Sequence, residues 1–462
     1  AATTISLAQS EEYEKRLFSL FGRLNYAYKD KYLLSLSLRR DGNSALGPNN
    51  KYGFFPAASV GWNVARENFL RNSDVISNLK FRFSYGITGN ESFNTGSSLI
   101  DNYPYLALLE PSTAVVGGSL VSAFNPVNIA NPDLQWERTK EINPGVDFGF
   151  FGNRIAGSFE YYNKESDKLI LYNPVSTTTG FSNALVNLGE VRNEGYELEL
   201  TTRNIISSDF SWSTTIIGSK NKNTLVDFAD SDGQILSVDS KRAAEWINLE
   251  GEPISSFYGW VVDEEISPEH ILYPYHPVGA QASGVYVKDL NGDGLIDNDD
   301  RTILGNPYPD LLWSVTNDVK IGNFDFSFMF QGSHGAQVRN MADQYLFNHF
   351  NSTQQYDPAT TPNQGFIREK IFTNSIIQDA SYVALRNVNI GYNFPRDFLK
   401  RTKVFTRARI YASGQNLMYL TEDDYTGFNP ESIRRTSATT YGYQLGGSPI
   451  FSTISLGLNL EF

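Results

Sequence analysis

Apolar side chains recur at every second position through much of this chain. NFDFSFMFQG, from Asn323, places Phe324, Phe326, Phe328 and Phe330 on one face and Asp325, Ser327 and Gln331 on the other. YLLSLSLRR sets Leu34, Leu36 and Leu38 against Ser35, Ser37 and Arg39, and GYELELTT sets Tyr196, Leu198 and Leu200 against Glu197 and Glu199. RIAGSFEYYN gives Ile155, Phe159 and Tyr161 against Ser158 and Glu160, while VFTRARIYA puts Arg407 and Arg409 opposite Ala408 and Ile410. The final stretch, FSTISLGLNLEF, carries Ile454, Leu456, Leu458, Leu460 and Phe462 against Ser455, Gly457, Asn459 and Glu461. Period two marks strands whose two faces meet different surroundings. Ten such residues rise roughly 33 Å. At a tilt of about 40° they cover the ~25 Å apolar band of an outer membrane.

The pattern predicts thirteen strands, near 18–28, 31–40, 54–63, 79–88, 138–150, 154–163, 195–203, 210–220, 311–320, 323–332, 381–393, 404–416 and 451–462. A soluble sandwich would alternate in the same way, but the connections separate the two folds. Those at 29–30, 151–153 and 321–322 are tight, and those at 64–78, 204–209 and 394–403 are short to medium. Between them fall 89–137, 164–194, 221–310, 333–380 and 417–450, with a modest 41–53. Short and long connections alternate, as periplasmic turns and extracellular loops do in outer-membrane barrels. The expected fold is therefore all-β, a transmembrane antiparallel β-barrel with long extracellular loops. An odd strand count leaves such a barrel open, so residues 1–462 are expected to form its C-terminal portion. The remaining strands are expected on a preceding segment or chain.

Composition agrees with a barrel wall. Mean hydropathy is that of a soluble protein (−0.33), no run approaches the ~18 apolar residues of a spanning helix, yet aromatics reach 14%, with 31 Phe and 26 Tyr. A net charge of −13 argues against nucleic acid as a partner. Absent cysteine excludes disulfides and thiolate chemistry. The opening AATTISLAQSEEYEK has neither the charged nor the apolar region of a secretory signal.

Several blocks resemble the barrel of SusC/RagA-type TonB-dependent transporters. They include GRLNYAYKDKYLLSLSLRRDGNSALGPNNKYGFFPAASVGWNVARENF, LKFRFSYGITGN and LQWERTKEINPGVDFGFFGNRIAGSFEYYNKESDKLI. VKDLNGDGLIDNDDRTILGNPYPD, DASYVALRNVNIGYNFP and ARIYASGQNLMYLT follow in family order, so the resemblance runs from about residue 14 to the C-terminus. It implies a 22-stranded barrel in the bacterial outer membrane with an N-terminal plug. It also implies a SusD-like lipoprotein lid, energy from TonB through the plug, and import of glycans or peptides. Plug and upstream strands are expected outside these residues, so no plug or TonB-contacting residue is carried over. The competing expectation is a soluble, calcium-stabilised cell-surface β-protein that binds glycans.

Residues 289–300, DLNGDGLIDNDD, have the spacing of a calcium loop within the 221–310 connection. Oxygens would come from Asp289, Asn291, Asp293, the Leu295 carbonyl, Asp297 at position nine and Asp300, with Gly294 at the turn. Asp at the last position, where Glu is usual, shortens bidentate reach. A metal-free Asx-rich turn would carry the same residues. A bound Ca2+ would rigidify the loop rather than do chemistry. Enzymatic function is not expected. His270, His276, His334 and His349 are scattered, Asp263, Glu264 and Glu265 have the look of solvated loop charge, and no phosphate loop follows a strand. Trp246, Tyr258 and Trp260 could stack on sugars, but packing between loops or against the lid is the expectation. Glu197, Glu199, Asp325, Arg407 and Arg409 are expected on the wet inner face.

Overall fold

The computed structural model describes residues 12–91, 95, 97–228, 234–239, 242–262, 276–277, 287–296, 298–340, 373–402, 404–437 and 439–462. Its frame is one 13-stranded sheet in which every strand pairs with the next along the chain. The strands are β1 (Leu17–Tyr28), β2 (Tyr32–Asn43), β3 (Tyr52–Asn63), β4 (Ile76–Asn90), β5 (Glu137–Phe150), β6 (Ile155–Asp167) and β7 (Glu190–Ile206). They continue as β8 (Phe210–Asp227), β9 (Leu311–Ile321), β10 (Phe324–His334), β11 (Tyr382–Asn393), β12 (Arg407–Thr421) and β13 (Thr453–Glu461). All thirteen lie where alternation predicts them, and every pairing is antiparallel. Because each strand reverses the last, β1 and β13 run the same way along the two edges.

The tight joints follow from local chemistry. Lys29 and Asp30 both adopt left-handed backbone, as do Phe151, Gly152 and Asn153. Paired positive φ angles give a hairpin turn the twist of its flanking strands.

The two faces of the sheet differ in kind. Phe324 lies opposite Ile321 and Tyr392, Tyr392 opposite Ile410, and Ile410 opposite Leu458, so one face is apolar across five strands. It is not covered: Leu456 is 83% and Ile454 76% exposed. A sandwich would hide this face under a second sheet. Instead, the clusters of buried apolar side chains among the described residues sit at the loop end of the wall. They are Leu46, Phe55, Leu134, Trp136, Ile170 and Leu185; Trp246, Phe257 and Ile376; Val191, Leu225, Phe228 and Ile254; and Val338, Ala380 and Tyr425. A sheet with no core behind it, apolar on the open side, is a wall made to face hydrocarbon.

Some elements lie beyond the predicted strands. The long connections carry their own hairpins, Leu109–Val116 with Ser119–Pro126 and Ile170–Pro174 with Asn183–Asn187. Two four-stranded sheets fold over the mouth, one from 234–239, 242–248, 256–259 and 302–305, the other from 337–340, 377–379, 434–437 and 440–444.

Candidate functional site

The polar face carries a network of ion pairs and hydrogen bonds. Arg82 on β4 donates to Asp147 on β5 (3.0 Å) and to Glu160 on β6, while Lys80 lies 3.4 Å from Asp147. Asn143 donates to the other oxygen of Glu160 (3.2 Å), and Lys164 and Glu141 pair at 3.4 Å. Register requires this clustering, since residues directly opposite on antiparallel strands share a face. Near the short-turn end, Arg409 donates to Asp325 (3.1 Å) and Asn389 (2.8 Å), and Asn393 donates to Asp325 (2.6 Å). Arg407 pairs with Glu461 at 3.4 Å, and Glu197 and Glu199 are exposed on the same face. Half-exposed pairs of this kind add little stability each, about 0–1 kcal/mol. Their consequence is a hydrated surface with side chains fixed in place.

At the mouth, one arginine ties a loop to the wall. Arg386 donates to Gln331 (2.7 Å), Asn416 (3.3 Å), the Tyr382 hydroxyl (3.3 Å), the Tyr419 hydroxyl and Glu431. Both tyrosines also donate to Glu431, Tyr382 at 2.6 Å and Tyr419 at 3.1 Å. Burial pushes the Glu431 carboxyl up, but the Arg386 guanidinium and the Tyr382 hydroxyl outweigh it and hold the group below its usual range. Arg386 reaches this position because β11 bulges there, its pairing with β12 shifting between Leu385 and Asn387. Alternation alone does not single Arg386 out. The signal was present: apolar positions change phase from Val383 and Leu385 to Val388, Ile390 and Tyr392.

Above the wall the long connections interlock. Trp246 is fully buried and donates to the Tyr441 carbonyl (2.7 Å), with the Arg339 guanidinium 5.1 Å from its ring. The Asn306 amide donates to Gln337 (3.0 Å), and Trp260 bridges to Thr373. Trp246 and Trp260 are therefore packing residues. Tyr258 is half-buried beneath Arg301, 5.0 Å from its ring. His334 stacks on Trp313, the side chain of His276 lies outside the described residues, and so do His270, His349, Asp263, Glu264 and Glu265.

The 289–300 loop closes on its own hydrogen bonds. Asp289 accepts from the amides of Gly292 (2.7 Å) and Gly294 (2.9 Å), which holds its carboxyl below the usual range, the Gly294 amide foremost. Asn291 accepts from the Asp293 amide (2.9 Å) and donates to the Asp293 carboxylate (3.2 Å). Buried Asp300 accepts from the Leu290 amide (2.9 Å). Gly292 and Gly294 both have positive φ, as the turn demands. Backbone and donor types suit a hard cation. Among the described residues, no three carboxylate or imidazole side chains converge as metal ligands. Asp297 and the side chain of Leu295 lie outside the described residues.

The comparisons with known proteins follow the same lines. Residues 2–417 match the family described as TonB dependent receptor-like, beta-barrel. The chain belongs to the TonB-dependent receptor family. It is 37% identical to TonB-dependent receptor P3 of Formosa agariphila, over 97% of this chain and 46% of that protein. To TonB-dependent receptor SusC of Bacteroides thetaiotaomicron it is 29% identical, over 96% of this chain and 44% of that one. The RagAB peptide importer in its open-open state superposes with a TM-score of 0.80 at 20% identity, covering 100% of this chain and 48% of that one. As a TonB-dependent receptor barrel, the wall belongs in the outer membrane. The chain spans about half the length of the curated relatives it matches.

Proposed function

We propose that this chain is the C-terminal barrel wall of a TonB-energised outer-membrane importer. It would take up oligosaccharides or peptides with a SusD-like lipoprotein as lid. The observation that carries this is the single sheet with an uncovered apolar face and an ion-paired polar face. A lumen lined by fixed, hydrated side chains passes a polar solute without covalent chemistry, so vectorial transport needs no catalytic residue here. The plug that TonB would pull, and the strands that complete the ring, belong to the preceding part of the protein in this reading. A soluble glycan-binding protein is disfavoured, because Ile454, Leu456 and Leu458 would stand in water with nothing over them. The test is uptake of labelled oligosaccharides and labelled peptides by cells with the full-length gene intact, deleted, or intact without TonB. Uptake of one class should vanish in both altered strains; unchanged uptake of both classes would defeat the proposal.

We also propose Ca2+ as a structural clasp on the 289–300 loop. Asp289, Asn291, Asp293, Asp297, Asp300 and the Leu295 carbonyl would supply its oxygens. Chelation should then speed proteolysis of this loop in the full-length protein but leave an Asp293→Ala variant, already loosened, unaffected. Equal cleavage with and without chelator would mean that the loop's own hydrogen bonds suffice.

A further inference from the structure

Between β11 and β12, on the short-turn side, the chain forms a rim helix, Arg396–Thr402. Its sequence, RDFLKRT, divides cleanly around the helix axis. Arg396, Asp397, Lys400 and Arg401 fall on one half and Phe398, Leu399 and Thr402 on the other. Leu399 is buried and Phe398 is 55% exposed. Arg396, Lys400 and Arg401 are all exposed. A short surface helix would gain nothing from an exposed phenylalanine if that side met water.

Phe398 is not isolated. Its ring stacks on Phe394 at 5.9 Å, Phe394 lies edge-on to Tyr392 at 5.3 Å, and Tyr392 meets Phe324 at 4.8 Å. Tyr392 and Phe324 are opposite one another on the lipid-facing side of the wall. On the helix's other flank, Phe405 packs against Phe462 at 5.2 Å, and Phe462 continues the outward series of β13. An unbroken aromatic strip thus runs from the hydrocarbon-facing wall onto the helix. The helix is held at the outer rim, where the apolar band gives way to headgroups.

The charges at that level have one sign in excess. Asp397 pairs with Lys400 at 3.2 Å. Arg396 and Arg401 have no carboxylate partner among the described residues. Three cations against one carboxylate, carried on a helix whose other half adjoins hydrocarbon, match the chemistry of an interfacial anchor.

We propose that the rim helix is a lipid-binding site for anionic phospholipids of the periplasmic leaflet. Phe394 and Phe398 sit among acyl chains, and Arg396, Lys400 and Arg401 hold the phosphodiester headgroups. The site rests on the outer-membrane placement of the barrel and is independent of substrate and lid.

The full-length protein, purified in non-ionic detergent and stripped of lipid, would be offered equal amounts of phosphatidylglycerol and phosphatidylethanolamine. Retained adducts would be counted by native mass spectrometry. Wild type should keep at least threefold more phosphatidylglycerol. R396Q/K400Q/R401Q should lose that excess, and R396K/K400R/R401K should restore it. Phe398→Ser should reduce both lipids alike. Heat-modifiable electrophoretic mobility establishes that each variant is folded. A glutamine variant that is folded and keeps the full excess would overturn the proposal, as expected if the helix serves an acidic periplasmic protein instead. Stripping of the phosphatidylglycerol by excess inorganic phosphate would also overturn it, marking the site as one for free anions.

Discussion

Glu67, in the turn between β3 and β4, accepts hydrogen bonds from Lys31 (2.8 Å), the Tyr32 hydroxyl (2.8 Å) and the Trp62 ring nitrogen (3.2 Å). The Lys31 ammonium foremost, then Tyr32 and Trp62, bring its carboxyl down from 4.5 to about 2. A depressed carboxylate stabilises the fold above its unfolded value, and that contribution is lost as pH falls toward the folded one. Glu67→Gln should therefore lower the urea midpoint of the folded full-length protein at pH 7. The gap to wild type should narrow as pH drops from 4.5 toward about 2. A gap independent of pH would show that packing, not charge, accounts for the loss. At the mouth, Glu431→Gln removes the negative charge and one of the two carboxylate oxygens that accept from Arg386, Tyr382 and Tyr419. For this partly exposed cluster the cost should be about 1–2 kcal/mol, discounted for solvent screening. It should appear as faster proteolysis of the 422–450 loop with the barrel intact. Unchanged loop cleavage would show that Glu431 is not what holds it.

At the level of the strand, the contrast between neighbours is the sharpest check. Leu456→Arg puts a charge into the apolar band and should cost about 2–4 kcal/mol near its middle. Ser455→Arg, one residue away on the wet face, should be tolerated, and equal effects in a bilayer unfolding titration would contradict the assigned faces. In the loop cap, Trp246→Ala empties a fully buried site and should cost about 3–5 kcal/mol locally. Hydrogen exchange should rise across 242–259 and 440–444 and stay unchanged in the wall. The wall strands were legible because period two is imposed by a two-sided environment along their whole length. Strand ends were less so: β7 starts at Glu190, ahead of the expected position, because EVRNE pairs above the apolar band and carries no alternation. The cap sheets were not legible at all. Strands such as Ser256–Gly259 and Gln337–Asn340 are four residues long and paired with distant segments, so no local pattern announces them. Arg82, Asp147 and Glu160 could each be placed on the polar face from alternation, but only register shows that they meet.

For the whole molecule, residues far apart in the chain meet on one face, as Arg82 meets Glu160 and Arg409 meets Asp325. Apolar surface goes outward, and among the described residues the clusters of buried apolar side chains gather at the loop end of the wall. The direction of the outermost strands adds a constraint on assembly. With β1 and β13 both pointing toward the short-turn side, the sheet has two edges of the same polarity, and an alternating ring accepts only an odd number of further strands between them. Two such sheets side by side in one orientation would set β13 against β1 in parallel, outside the antiparallel pattern of the wall. In an all-antiparallel ring the strands beside β1 and β13 therefore both run toward the loop side.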